Sequence, residues 1–280
     1  VKKRILIAIG GKERKFSESV IFKTMLQLAG GSKARIIVIP TASAVPEDRG
    51  AIYTKLFNEF SPASLDVMQI GNRPDASDED TLKLVSDATL VMFGGGDQLR
   101  LSSILGGTPL LALLREKYKS GCVIAGTSAG AAAIPQIMIF QNNRFHLYRK
   151  GGLEMTQGLG FIRNVVLDTH FVQRSRISRL IHTVATNPGL LGIGIEENTA
   201  LVIENEHDAR CIGAGTVIIV DGREADFNEI SEVDNGKPFA ITGIRYSVLT
   251  DGLAYDLAQR KVRGVDAART RRTLLKPAAE

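Results

Sequence analysis

The segment Gly121-Cys-Val-Ile-Ala-Gly126-Thr127-Ser128-Ala129-Gly130 places G-x-S-x-G directly after an apolar run and directly before a run of small residues. Strand, tight turn and helix in that order are the context of a nucleophile elbow. The flanking glycines admit a strained turn, and the serine oxygen is displayed at the carboxyl edge of a sheet. Such a serine suits acyl transfer, with Ser128 as nucleophile and the Ala129 N–H, at the start of the new helix, as an oxyanion donor. The plain alternative is a glycine-rich strand-to-helix turn carrying an incidental serine.

A second glycine-rich turn, Gly94-Gly95-Gly96-Asp97-Gln98, also follows an apolar strand and precedes a helix. It lacks the lysine and Ser/Thr of a P-loop and the spacing of a dinucleotide site. Beside the elbow it reads as the second oxyanion donor, through the Gly96 N–H, with Gln98 reaching the substrate. A serine hydroxyl needs a base, and the chain offers four histidines: His146, His170, His182 and His207. His170 is favoured because Asn164-Val-Val-Leu-Asp168-Thr169-His170 reads as a strand ending in a polar turn. The carboxylate that should orient the base is Glu196 or Glu197, which close the run from Gly192 to Ile195, with Asp168 as a rival. The order Ser, His, Glu differs from the Ser, acid, His of the α/β-hydrolases.

These residues need a sheet to hold them. Apolar runs at Ile5 to Ile9, Arg35 to Ile39, Leu65 to Ile70, Thr89 to Phe93 and Cys122 to Ala125 predict strands covered on both faces. Between them, Ser17 to Ala29, Glu47 to Phe60, Asp78 to Ser86 and Pro109 to Tyr118 predict helices, Ser17 capping the first. The β-α-β-α rhythm predicts an α/β fold with a mainly parallel sheet and helices on both faces. Further strands are expected at Asn164 to Leu167, Gly192 to Ile195, Ala200 to Glu204 and Thr216 to Val220, as an antiparallel extension or hairpins on the same sheet. One strong helix is expected from Ser175 to Thr186, with Ile177, Leu180, Ile181 and Val184 on the core.

With 44% hydrophobic and 23% charged residues, 280 residues can bury a core without disulfides or metals, and a single catalytic domain over residues 1–280 is expected. Cys122 and Cys211 lie in apolar runs without metal-ligand spacing and read as core residues of a reducing compartment. The opening run Ile5 to Ile9 is too short for a signal core or a membrane span, so a cytoplasmic protein is expected. The net charge of +5 is concentrated in a tail from about residue 260, with Arg260, Lys261, Arg263, Arg269, Arg271, Arg272 and Lys276. No aromatic or recognition motif accompanies it, so nucleic-acid binding is not expected.

Taken together, Ile9-Gly-Gly11, Pro40-Thr-Ala-Ser43, Phe93-Gly-Gly-Gly-Asp-Gln98, Gly126-Thr-Ser-Ala-Gly-Ala131, Asp168-Thr-His-Phe171 with Arg174, Arg176 and Arg179, and Gly192-Ile-Gly-Ile-Glu-Glu-Asn-Thr-Ala200 resemble the cyanophycinases. The aspartyl dipeptidases are more distant relatives in the same peptidase group. The resemblance implies a fold similar to class I glutamine amidotransferases, with serine replacing cysteine at the elbow. It implies hydrolysis of cyanophycin, an aspartate backbone with arginine on each side chain, to β-Asp-Arg dipeptides, without cofactor or metal and by a homodimer. Carried over by position, Ser128 is the nucleophile, His170 the base and Glu197 its acid. Gln98, Asp168, Thr169, Arg174, Arg176 and Arg179 fall at substrate-binding positions. Arginine forks suit a substrate rich in carboxylates. Thr169 and Ser175 stand where the family pattern has glutamine and glycine. Competing functions are an aspartyl dipeptidase or isopeptidase on short peptides, and a non-hydrolytic binding protein.

Overall fold

The computed structural model describes residues 2–14, 16, 19–142 and 148–263. Strand and helix alternate at first: β1 (Ile5–Ile9), α1 (Val20–Leu28), β2 (Arg35–Ile39), α2 (Pro46–Asn58), β3 (Ser64–Val67), α3 (Glu79–Ser86) and β4 (Leu90–Phe93). Two helices, α4 (Gln98–Leu105) and α5 (Pro109–Lys119), lead to β5 (Val123–Thr127) and the short α6 (Ala129–Ala132). A hairpin of β6 (Ile137–Asn142) and β7 (Leu153–Gln157) precedes β8 (Val165–Thr169), α7 (Ile177–Thr186) and β9 (Leu191–Ile195). Strands then follow one another: β10 (Thr199–Glu204), β11 (Asp208–Gly213), β12 (Val217–Asp221), β13 (Phe227–Asn228), β14 (Ile241–Thr242), β15 (Arg245–Leu249), β16 (Ala254–Asp256) and β17 (Lys261–Arg263).

The principal sheet has nine strands in the order β17-β16-β11-β10-β1-β5-β4-β2-β3. From β1 to β3 neighbouring strands run parallel, and the β10 to β17 side is an antiparallel extension. β1 is apolar throughout, yet its side chains divide by the period of two. Leu6 and Ala8 enter one core, while Ile5, Ile7 and Ile9 enter another with Phe22 and Met25 of α1 and Tyr53 and Phe57 of α2. That division explains why a strand covered on both faces shows no polar alternation.

The expectation of a single sheet is corrected. β8, β9, β12 and β15 form a separate four-stranded sheet, in the order β15-β12-β9-β8. Ile193, Ile195, Val217 and Ile219 from it share a core with Leu6, Leu201 and Ile203, so the two sheets stack through side chains. The outer face of the second sheet is covered by Leu180 and Val184 of α7, beside the partly buried Ile177 and Ile181.

Boundaries differ where burial changes. β3 is an edge strand that ends at Val67, because Met68 and Ile70 turn into the core and the Ile70 carbonyl accepts a hydrogen bond from Thr41 Oγ1 at 2.9 Å. Ser17 lies outside the described residues, and α1 begins after Ser19, whose side chain makes no cap bond. The basic tail is also corrected at its root. Arg260 is buried against Asp221, and Arg263 reaches Asp256 at 2.9 Å, so residues 260–263 belong to the fold. Arg269, Arg271, Arg272 and Lys276 lie outside the described residues. Cys122 and Cys211 are both buried and unpaired, and burial pushes each thiol up to about 12, which makes them unreactive. No helix among the described residues is long and apolar enough to cross a membrane.

Candidate active site

Ser128 stands between β5 and α6 at φ 53 and ψ −116, a conformation that costs of the order of 1–3 kcal/mol away from glycine. The turn is possible because its flanks are bare. A Cβ on Gly126 would come within 2.5 Å of the Gly130 backbone, and one on Gly130 within 2.4 Å of the Phe93 carbonyl. The Ser128 N–H donates to Ile9 O at 3.0 Å, which ties the elbow to β1.

His170 follows β8 and also has positive φ, at 49. Its Nε2 lies 2.9 Å from Ser128 Oγ, and its Nδ1 lies 2.7 Å from Glu197 Oε1. Glu197 follows β9, so the serine is delivered by the nine-stranded sheet while the histidine and the acid come from the four-stranded one. The choice between the two glutamates is decided by hydrogen bonds. Glu196 turns away, its Oε2 accepting from the Thr216 N–H at 2.5 Å and Thr216 Oγ1 at 2.7 Å, its Oε1 from Gln173 Nε2 at 3.0 Å. His182 is buried against Phe239, His207 lies in a turn with Nδ1 at Asn205 O, and His146 is outside the described residues.

Burial lowers the pKa of His170 below the ordinary histidine value. The hydrogen bond to Glu197 opposes this, and the charges of Arg174 and Arg176 add to it. The imidazole is therefore neutral at pH 7 and free to take a proton. Burial would raise the Glu197 carboxyl, but hydrogen bonds from His170 and Lys12 outweigh it and hold the group below its usual range. Activity should fall as pH drops through the lowered His170 pKa, giving an acid limb in kcat/KM below pH of about 6.5. Arg174→Gln removes a charge that lowers this pKa. The limb should therefore move to higher pH, most clearly at low ionic strength, and a downward shift would contradict the assignment.

The remaining predicted residues fall into two groups. Gly95 packs on Ser128, its absent Cβ falling 3.3 Å from Ser128 Cβ, while Gly96 (φ +147) packs on the Ala42 carbonyl. The Gly96 N–H belongs to the peptide immediately after the Gly95 Cα, and Ala129 N–H opens the first turn of α6, where backbone donors lack helical partners. Gln98 donates through Nε2 to Ile139 O at 3.0 Å, which fixes its side chain against β6.

Asp168 meets two of the three arginines. Asp168, 2% exposed, accepts from Arg176 Nη1 at 2.9 Å, and its Oδ2 lies 3.1 Å from Arg179 Nε at an angle too poor for a hydrogen bond. Thr169 and Arg179 are likewise buried. Arg174 is exposed, and Arg176 partly so.

Ser175, where the family pattern has glycine, holds φ 50. Relief of left-handed strain should exceed the added chain entropy, so Ser175→Gly is expected to raise stability by about 0.5–1 kcal/mol in urea unfolding, with unchanged m. Three residues near the relay escaped sequence reasoning. They are Lys12, whose Nζ is 3.2 Å from Glu197 Oε1, Glu13, and Gln173, whose side chain binds both Glu196 and the Glu197 N–H. Each reads in the sequence as an ordinary surface residue.

The model of peptidase family S51 matches residues 5–211. The chain belongs to peptidase family S51. This S51 peptidase is 37% identical over 261 residues to a cyanophycinase of Synechococcus elongatus, covering 93% of this chain and 81% of that one. It is 35% identical to a cyanophycinase of Geminocystis herdmanii, covering 90% and 93%. Peptidase E of Nostoc sp. is more distant, 29% identical with 68% and 77% covered. Among solved structures, a peptidase from an acI-B1 Actinobacterium superposes with a TM-score of 0.66 at 24% identity, over 90% of this chain and 96% of that chain. That likeness bears on the fold, which is α/β with a mostly parallel central sheet.

Proposed function

We propose that this S51 peptidase hydrolyses cyanophycin to β-Asp-Arg dipeptides through an acyl-enzyme on Ser128. The observation that carries the chemistry is the unbroken relay from Ser128 through His170 to Glu197, with contacts of 2.9 and 2.7 Å. The similarity to cyanophycinases over nearly the whole chain carries the substrate. In the first step Ser128 Oγ attacks the peptide carbonyl carbon while neutral His170 takes its proton. Ala129 N–H and Gly96 N–H stabilise the oxyanion. Its collapse breaks the C–N bond, and His170 returns the proton to the leaving amine. Water then repeats the sequence and frees the acyl group and Ser128. Glu197 keeps the Nδ1–H of His170 pointed toward it and supports the transient imidazolium. Arg174, Arg176 and Lys12 surround the relay with positive charge, which suits a substrate bearing aspartyl carboxylates.

The test is dipeptide release from purified cyanophycin, run beside a length series of β-aspartyl peptides. Release from the polymer supports the proposal. Cleavage of only the shortest peptides would move the substrate toward that of a dipeptidase, and failure both to hydrolyse and to label with a serine-directed phosphonate would leave a binding protein. In the same reading the enzyme acts in the cytoplasm as a homodimer. Two buried thiols suit a reducing compartment. Tyr246 and Val248, 51% and 48% exposed on edge strand β15, offer an apolar face that a second copy could cover, which sedimentation would test.

A further inference from the structure

Glu13 follows β1, in a stretch of charged residues that looks like a solvated loop, yet it is only 4% exposed. A carboxylate removed from water is costly unless hydrogen bonds replace its hydration. Glu13 Oε2 accepts from Thr127 Oγ1 at 2.7 Å, and Oε1 accepts from Tyr53 Oη at 3.1 Å. Tyr53 belongs to α2 and is buried in the core, and Thr127 is the last residue of β5, directly before Ser128. Burial, with the nearby charge of Glu13, raises the Tyr53 pKa, so its hydroxyl remains a donor.

The same short segment touches every member of the relay. Ile9 O accepts from the Ser128 N–H at 3.0 Å, and Gly10 O from the His170 N–H at 2.8 Å. Gly11 lies against the imidazole, where a Cβ would fall 2.4 Å from Cε1, and Lys12 reaches Glu197 at 3.2 Å. Lys12 itself has φ 44 and Gly11 φ 98, so this turn takes a conformation that the surroundings must hold. The anchor beyond it is Glu13, fixed on one side to the elbow strand and on the other to α2.

We infer that Glu13 is a positioning residue for catalysis: by clamping the segment after β1 to Thr127 and Tyr53, it holds His170 at hydrogen-bonding distance from Ser128. The inference rests on the proposed serine mechanism. A displacement of about 1 Å between reacting groups is enough to cost on the order of a hundredfold in rate. Glu13→Gln and Thr127→Val should therefore lower kcat by about 10- to 100-fold while KM stays within about threefold. Thr127→Ser, which keeps the hydroxyl, should recover kcat to within about threefold of native.

The experiment measures kcat per serine titrated with a fluorophosphonate, so that unfolded or inactive protein is not counted. The native enzyme is titrated first, and absence of an adduct on Ser128 would remove the serine mechanism and this inference with it. With the native adduct present, a low kcat per titrated site in Thr127→Val, rescued in Thr127→Ser, is the expected result. Native kcat per titrated site in both Glu13→Gln and Thr127→Val would overturn the role of Glu13 and leave the serine mechanism intact. Thr127→Val changes no charge, so it answers the question even where Glu13→Gln fails to fold.

Discussion

Ser128→Ala is expected to lower kcat by on the order of a millionfold, with substrate affinity and fold preserved. Alanine retains the backbone of the elbow and removes only the oxygen that lies 2.9 Å from His170 Nε2. That loses one hydrogen bond, worth about 1 kcal/mol, in a site still partly open to solvent. Folding therefore changes little, whereas the route through an acyl-enzyme disappears. What persists is the stabilisation of the oxyanion by backbone donors, which can leave a rate about 10³–10⁴-fold above that in water. Parallel assays of dipeptide release and phosphonate labelling check this. Turnover by the alanine variant above about 1% of native would mean that the reaction does not pass through Ser128.

The elbow was legible in the sequence because its requirement is local. Gly126 and Gly130 must both lack a side chain for strand and helix to cross at the turn, and the two close approaches at 2.5 and 2.4 Å state the same constraint in space. His170 was legible for a related reason, since a strand end followed by a polar turn places a side chain at a sheet edge. Glu197 was not separable from Glu196 on those grounds. Which one turns inward depends on Thr216 and Gln173 binding Glu196, contacts made across 20 and 23 positions of chain. The arginines after His170 entered only through the family resemblance, as substrate-binding positions. The structure brings Arg176 and Arg179 onto Asp168, a pairing across the end of β8 and the start of α7 that no local pattern shows.

The second sheet was hidden for a comparable reason. Every residue of β9 and β12 is buried, so each has the same apolar pattern as a strand in the middle of the first sheet. Only pairing decides membership, and β9 pairs with β8 and β12 rather than with β10, its neighbour in sequence. The β6–β7 hairpin left still less trace, since β6 is interrupted between Ile139 and Gln141 and its partner β7 is only half-buried. Glu13 belongs with these. Its burial is set by Tyr53 and Thr127, 40 and 114 positions away.

The two glutamates offer the second large contrast, because adjacent residues of identical chemistry have opposite surroundings. Glu197→Gln should lower kcat by about 10⁴-fold, since an amide can stabilise neither the tautomer nor the imidazolium of His170 as a carboxylate does. The residual activity should also carry a signature in pH. Glu197 raises the His170 pKa through its hydrogen bond and its charge, so its neutralisation leaves burial and the arginines to lower that pKa further. The acid limb of kcat/KM should then move to lower pH, opposite in direction to the shift expected for Arg174→Gln. Glu196→Gln should leave kcat within about threefold of native. It should instead cost stability, about 1–2 kcal/mol in urea unfolding, because one face of the amide cannot accept the bonds that Thr216 and Gln173 donate. Equal kinetic losses in the two variants would show that the charge of the pair, rather than the contact of Glu197 with His170, sustains the reaction.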